Sequence, residues 1–218
     1  MTNDCITGTY TGTGRTAQTI TLGFQPLCLM IFCTSHPAES PEHHQCNHHC
    51  TGVLTNQRIL YKNDQMPTNG YLYVKDGRVN CAKGGNNSHI WLTADGFEIR
   101  GNDANRTGEP YHYVVWTNFA GGSSLVQTGY LKTSKGEQSI TLGYQPDFIL
   151  MAQDGGGDKL WVKHSRVADF KTTAIDSDKK GGVYYDDKIR IDAEGFTIDV
   201  ANSKHHHYWS AFRKDAGG

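Results

Sequence analysis

TITLGF (19–24) alternates polar and apolar residues, turns at Gln25-Pro26, and continues as an unbroken apolar run, LCLMIF (27–32). Alternation with a period of two predicts a half-buried strand, and a short apolar run bounded by turn residues predicts a strand covered on both faces. The same order returns as SITLGY (139–144), Gln145-Pro146 and DFILMA (147–152). IWLTADGFEI (90–99) and IRIDAEGFTI (189–198) each predict two short strands around a turn, with Asp-Gly or Glu-Gly supplying the φ > 0 position of a tight hairpin. YHYVVW (111–116) and HHYWSAF (206–212), rich in aromatic and β-branched residues, predict a closing terminal strand for each unit. No long amphipathic helix is legible, and the glycines fall mostly at turns.

These three pairs of segments occur in the same order, which predicts two homologous halves of roughly one hundred residues. Their offset is 120 at the first pair (Ile20 against Ile140) and 99 at the second (Ala94 against Ala193), so the first half carries 21 extra residues between them. The expected architecture is all-β: two tandem, jelly-roll-like β-sandwich domains from an internal duplication, spanning 1–121 and 122–218. The first carries a Cys/His-rich insertion over about 33–81, and AGGSSL (120–125) reads as the linker.

Charge removes some partners from consideration. With 21 Lys+Arg against 22 Asp+Glu, the chain has no net field drawing it to nucleic acid or an anionic bilayer, so neither is expected as a partner. No apolar stretch approaches the roughly 18 residues of a membrane span, and MTNDCITGTY lacks the basic and apolar regions of a Sec signal, which predicts a soluble protein.

All six cysteines, Cys5, Cys28, Cys33, Cys46, Cys50 and Cys81, lie in the first half, so they serve something particular to it rather than the repeated fold. All six are disulfide candidates, within the chain or to a neighbouring subunit, and six cysteines allow 15 connectivities. CTSHPAESPEHHQCNHHC (33–50) also offers thiolates and imidazoles, the ligands zinc prefers, with Cys33, His36, Cys46 and Cys50 as the alternative zinc set and His43, His44, His48 and His49 nearby. Its C-x3-C spacing lacks a second paired knuckle, and reduced cysteines beside a solvated His-rich loop are a third reading. No cofactor is otherwise expected.

HHH (205–207) sits within the last predicted strand, where His205 and His207 share a face and His206 takes the other; exposed edge-strand histidines are the favoured reading. TGTGR (11–15) lacks the lysine and helix of a phosphate loop and reads as a hairpin turn. DGGGD (154–158) and YYDDK (184–188) lack the ligand alternation of a calcium loop and read as solvated turns. No G-x-S-x-G, H-E-x-x-H or local nucleophile–base pair occurs, so no enzyme is expected. Trp91, Trp116, Trp161 and Trp209 fall on predicted strands and read mostly as core, with a sugar- or protein-binding aromatic platform as the alternative.

The combination TYTGTGRTAQTITLGFQP, WLTADGFEI and YHYVVW, with the ending YWSAF (208–211 and Phe212), resembles a recurrent β domain of tailed-bacteriophage structural proteins. The first half departs from that ending with YVVWTNF. The resemblance covers nearly all of both halves and implies a virion component of tail-fibre, collar or capsid-surface type, without a catalytic set. It implies other virion proteins as partners, self-association under particle symmetry, and a location on the virion. A virion protein is made in the host cytoplasm without a signal and is extracellular after lysis, where cysteines oxidise. The alternative within the same resemblance is a tail-fibre adhesin that binds a host surface glycan or protein receptor; a zinc-binding protein is weaker.

Overall fold

The computed structural model describes residues 5–14, 16–33, 58–75, 78–82, 89–101, 104–118, 125–132, 135–154, 158–167, 171–176, 183–200 and 205–213. The first half contributes β1 (Cys5–Thr11), β2 (Gln18–Thr21), β3 (Cys28–Cys33), β4 (Arg58–Asn63), β5 (Tyr71–Lys75), β6 (Arg78–Ala82), β7 (His89–Thr93), β8 (Gly96–Arg100) and β9 (Pro110–Trp116). The second contributes β10 (Val126–Lys132), β11 (Gly136–Thr141), β12 (Phe148–Asp154), β13 (Lys159–His164), β14 (Lys171–Asp176), β15 (Val183–Asp187), β16 (Ile189–Asp192), β17 (Gly195–Val200) and β18 (His206–Phe212). The protein is all-β, as the alternation predicts.

Each half is a sandwich of a six-stranded and a three-stranded antiparallel sheet. The first half runs β1-β9-β3-β4-β5-β6 over β2-β8-β7, and the second runs β10-β18-β12-β13-β14-β15 over β11-β17-β16. Adding nine to every first-half label gives the second-half order. The likeness reaches individual hydrogen bonds: Leu22 and Gly23 donate their N–H groups to Asp95 O, as Leu142 and Gly143 do to Glu194 O.

Side-chain alternation explains why the long apolar runs are needed. On β3, Leu29, Ile31 and Cys33 face the core under the small sheet, with Ile90, Phe97 and Ile99. Cys28 and Met30 face the opposite way, into a core shared with Val126, Leu150, Ala152, Leu160, Tyr208 and Phe212 of the second half. On β12, Ile149 and Met151 face a third core with Phe196, Ile198 and Trp209. The two six-stranded sheets are therefore inner layers covered on both sides, and the three-stranded sheets are the outer layers. The two halves also join through Tyr61 Oη and Ser210 Oγ at 2.8 Å, Asn63 Nδ2 donating to Trp209 O at 2.9 Å, and Thr128 Oγ1 donating to Asp64 Oδ1.

Several local expectations change. β9 and β18 end their halves in sequence but sit between two partners in their sheets, and the chain leaves the six-stranded sheet at Thr11 to enter the three-stranded sheet at Gln18 instead of pairing β1 with β2 as a hairpin. Gly96 and Gly195 carry the positive φ expected of the two hairpins, 155° and 158°, and they also permit a close approach: a Cβ there would lie 2.0 Å from Ile20 O and 1.9 Å from Ile140 O. A β-carbon on Gly129 would lie 2.0 Å from Trp209 Cζ2, so this glycine on an edge strand makes room for the indole crossing it. AGGSSL lies outside the described residues apart from Leu125, but Asn118 grips the far side of the connection, with Nδ2 donating to Val126 O at 2.8 Å.

Candidate functional surfaces

The register places the first half's surplus. Cys33 pairs with Arg58, whereas the equivalent Gln153 pairs with Lys159, so the offset drops from 120 to 101 across this single connection. Nearly all of the extra 21 residues enter between β3 and β4. His36, His43, His44, Cys46, His48, His49 and Cys50 lie outside the described residues.

Cys33 itself is buried at the mouth of that connection. Its thiol donates to Glu109 Oε2 at 3.5 Å, Tyr111 Oη donates to the same oxygen at 3.1 Å, and Arg106 Nη1 lies 3.3 Å from Oε1. Tyr111 stacks on Tyr10 at 4.9 Å and 8°, and burial raises both phenols well above the usual range. Glu109 thus has its carboxylate oxygens satisfied by three side chains, which suits a buried charge. No group of three or more His, Cys, Asp or Glu residues suited to a metal occurs among the described residues.

The remaining described cysteines are held apart. Cys5 and Cys28 both pair with Trp116, one from each side, so a strand lies between them. At about 4.8 Å per strand their Cα atoms are separated by about 9–10 Å, beyond the roughly 7 Å limit for a disulfide. Cys28 and Cys33 sit five residues apart on one strand and face opposite cores. Cys81 is on β6, three strands from β3. Cys28 is fully buried, and burial lifts its thiol to about 12.

The histidine run is not an exposed edge. β18 lies between β10 and β12, and His207 is 1% exposed, stacked on Trp161 at 5.2 Å and 8°. Burial, then the neighbouring His205 and His206, lowers its pKa to about 3, so it is neutral at ordinary pH. His206 points to the other face, where its Nδ1 meets Tyr130 Oη and the two rings stack.

Sequence reading missed two arrangements. Lys62 and Lys163, equivalent in the two halves, are only 2% and 1% exposed. Lys62 Nζ donates to Pro67 O and Gly70 O at 2.8 and 2.7 Å, and Lys163 Nζ to Val167 O at 3.1 Å, so each ties down the turn after its strand. The signal was a lysine at an inward position directly after an apolar run, ILYK and LWVK at 59–62 and 160–163. The second is on the outer sheet of the first half. Trp161 and Trp209 are buried and Trp116 is half-buried, as expected of core residues, but Trp91 is 44% exposed. Ile90 and Leu92 point inward, and this alternation already placed Trp91 on the outward side.

No family model and no curated protein matches the chain. Among solved structures, the major capsid protein P2 from Bacteriophage PM2 overlaps 98% of this chain and 100% of its own at a TM-score of 0.24 and 12% identity. An overlap that loose does not bear on fold or role.

Proposed function

We propose that the chain is a non-enzymatic structural subunit on the outside of a tailed-bacteriophage particle, acting as a decoration, collar or fibre-associated component. The observation that carries the proposal is the repetition of one strand order in two halves, bearing twice the motif that resembles phage structural domains. A scaffold of this kind presents two outer sheets on either side of a packed interior. Its partners are other virion proteins and copies of itself.

The test is quantitative mass spectrometry of purified particles from the phage that encodes the chain. Copy numbers matching capsid symmetry fit a decoration protein, and a few copies per particle fit collar or fibre. Absence from particles overturns the proposal. The second reading, an adhesin, draws on the exposed Trp91, and binding of the isolated protein to host cells tests it.

A further inference from the structure

Trp91 occupies the middle of β7, an edge strand of the outer sheet. His89, two residues earlier on the same face, lies perpendicular to its ring, with centroids 6.0 Å apart at 89°. His89 is itself buried, with Nε2 2.8 Å from Glu98 Oε1. A carboxylate only accepts, so the imidazole nitrogen donates. Glu98 lies directly across from Trp91 in the β7–β8 register, and Thr19 follows Glu98 on β2. The indole is thus braced by a fixed imidazole set perpendicular to it, within a frame of Glu98, Thr19, Thr93 and Arg100.

The second half serves as an internal control, because it builds the same sheet. The residues equivalent to His89, Trp91 and Glu98 are Lys188, Arg190 and Thr197. There Arg190 Nε donates to Asp192 Oδ1 at 3.0 Å, and Thr197 Oγ1 donates to Asp192 Oδ2 at 2.8 Å. Polar contacts close that surface, so the fold itself does not call for an aromatic ring or a His–Glu pair at these positions.

We propose that this face is a saccharide-binding platform: the indole stacks on the C–H face of a pyranose, while Glu98, Thr19 and Arg100 meet its hydroxyls. The size and charge of the surface favour this occupant. A stable protein interface buries about 800 Å² per partner, more than half of it apolar, and a single indole supplies at most about 250 Å² of apolar surface. A nucleic acid would need a basic track, whereas a carboxylate stands at the centre here. Bracing in advance lowers the ordering cost of binding. The inference deepens the adhesin reading by naming its ligand class and site.

The test uses the full chain and a panel of free glucose, galactose, mannose, N-acetylglucosamine and their short oligosaccharides, read by NMR of the four tryptophan indole N–H groups. The expected result is a saturable shift of the Trp91 signal with at least one sugar. Binding should weaken at least about tenfold in Trp91→Ala and several-fold in Glu98→Gln, with the backbone spectrum otherwise preserved. A panel that leaves Trp91 unmoved, or binding that survives Trp91→Ala, overturns the inference. Host-cell binding that persists without sugar binding overturns the inference and leaves the adhesin reading standing; sugar binding without host-cell binding does the reverse. Loss of particle incorporation in Trp91→Ala without any sugar response assigns the face to a protein contact and overturns the inference.

Discussion

Trp116 and Phe212 hold the same position in the two halves and touch each other, ring centroids 5.0 Å apart at 62°. Trp116 is flanked in its sheet by Cys5 and Cys28, and Phe212 by Val126 and Phe148. At this point the two inner sheets meet through one residue position used twice, the kind of self-matching contact found in two-fold dimers. Here a covalent chain joins the partners.

The first prediction concerns cooperativity. Because one buried cluster includes side chains of both halves, the wild-type chain should unfold in a single transition followed by fluorescence and circular dichroism. Phe212→Ala should cost about 3 kcal/mol and broaden or split that transition. A loss near zero would mean that the shared core contributes little to joining the halves.

Tyr61→Phe isolates a polar link in the same layer. It removes the bond to Ser210 Oγ and leaves a buried hydroxyl without that partner, at a cost of about 1–3 kcal/mol. Tyr61→Phe combined with Ser210→Ala should recover part of it, which a denaturant-based double-mutant cycle measures.

Acid should weaken the fold through His207. Its folded pKa of about 3 lies below the ordinary 6.5, so the unfolded chain binds the extra proton between those values. The stability it contributes is complete above about pH 6.5 and is lost as pH falls toward 3. His207→Phe, which keeps a ring against Trp161, should flatten the fall in urea midpoint over that window.

At high pH the opposite groups act. Burial raises Tyr10, Tyr61 and Tyr111 above the usual phenol value, and brings Tyr144 and Cys28 to about 12. Their stabilising contribution is present below the unfolded values of 9.0 for thiol and 10.0 for phenol and is lost as pH climbs beyond them. Lys62, lowered by burial to about 8, gains in favour between about 8 and 10.5, against this trend. Stability should therefore fall steeply above about pH 10, and Lys62→Met should remove the opposing rise below it.

Cysteine pairing is constrained by strand spacing. Non-reducing peptide mapping should find no bridge among Cys5, Cys28, Cys33 and Cys81 within one chain; any disulfide should involve Cys46, Cys50 or a second subunit. Recovery of a Cys5–Cys28 peptide pair from monomer would contradict the placement of β9 between them.

How far the sequence reached depends on what each pattern encodes. The alternation in TITLGF and the run LCLMIF carry strand identity and two-sided burial, and both are local. That the second covering layer for Met30 and Leu150 is the other half of the chain is a long-range fact with no local trace. The histidines at 205–207 read as an edge because chain order suggested a terminal strand, whereas antiparallel pairing inserts β18 between β10 and β12. Trp91 was visible as outward-facing by parity, but its bracing by His89 and Glu98 depends on how the β7–β8 turn sets the register.

The difference between the Cys33–Arg58 and Gln153–Lys159 pairs shows that this hairpin mouth accommodates chain segments of very different length while the strands beneath keep their register. Loop closure grows costlier only slowly with length. The mouth of β12–β13 is therefore a natural grafting port: a peptide spliced in after Asp154 should leave the register of the second half intact.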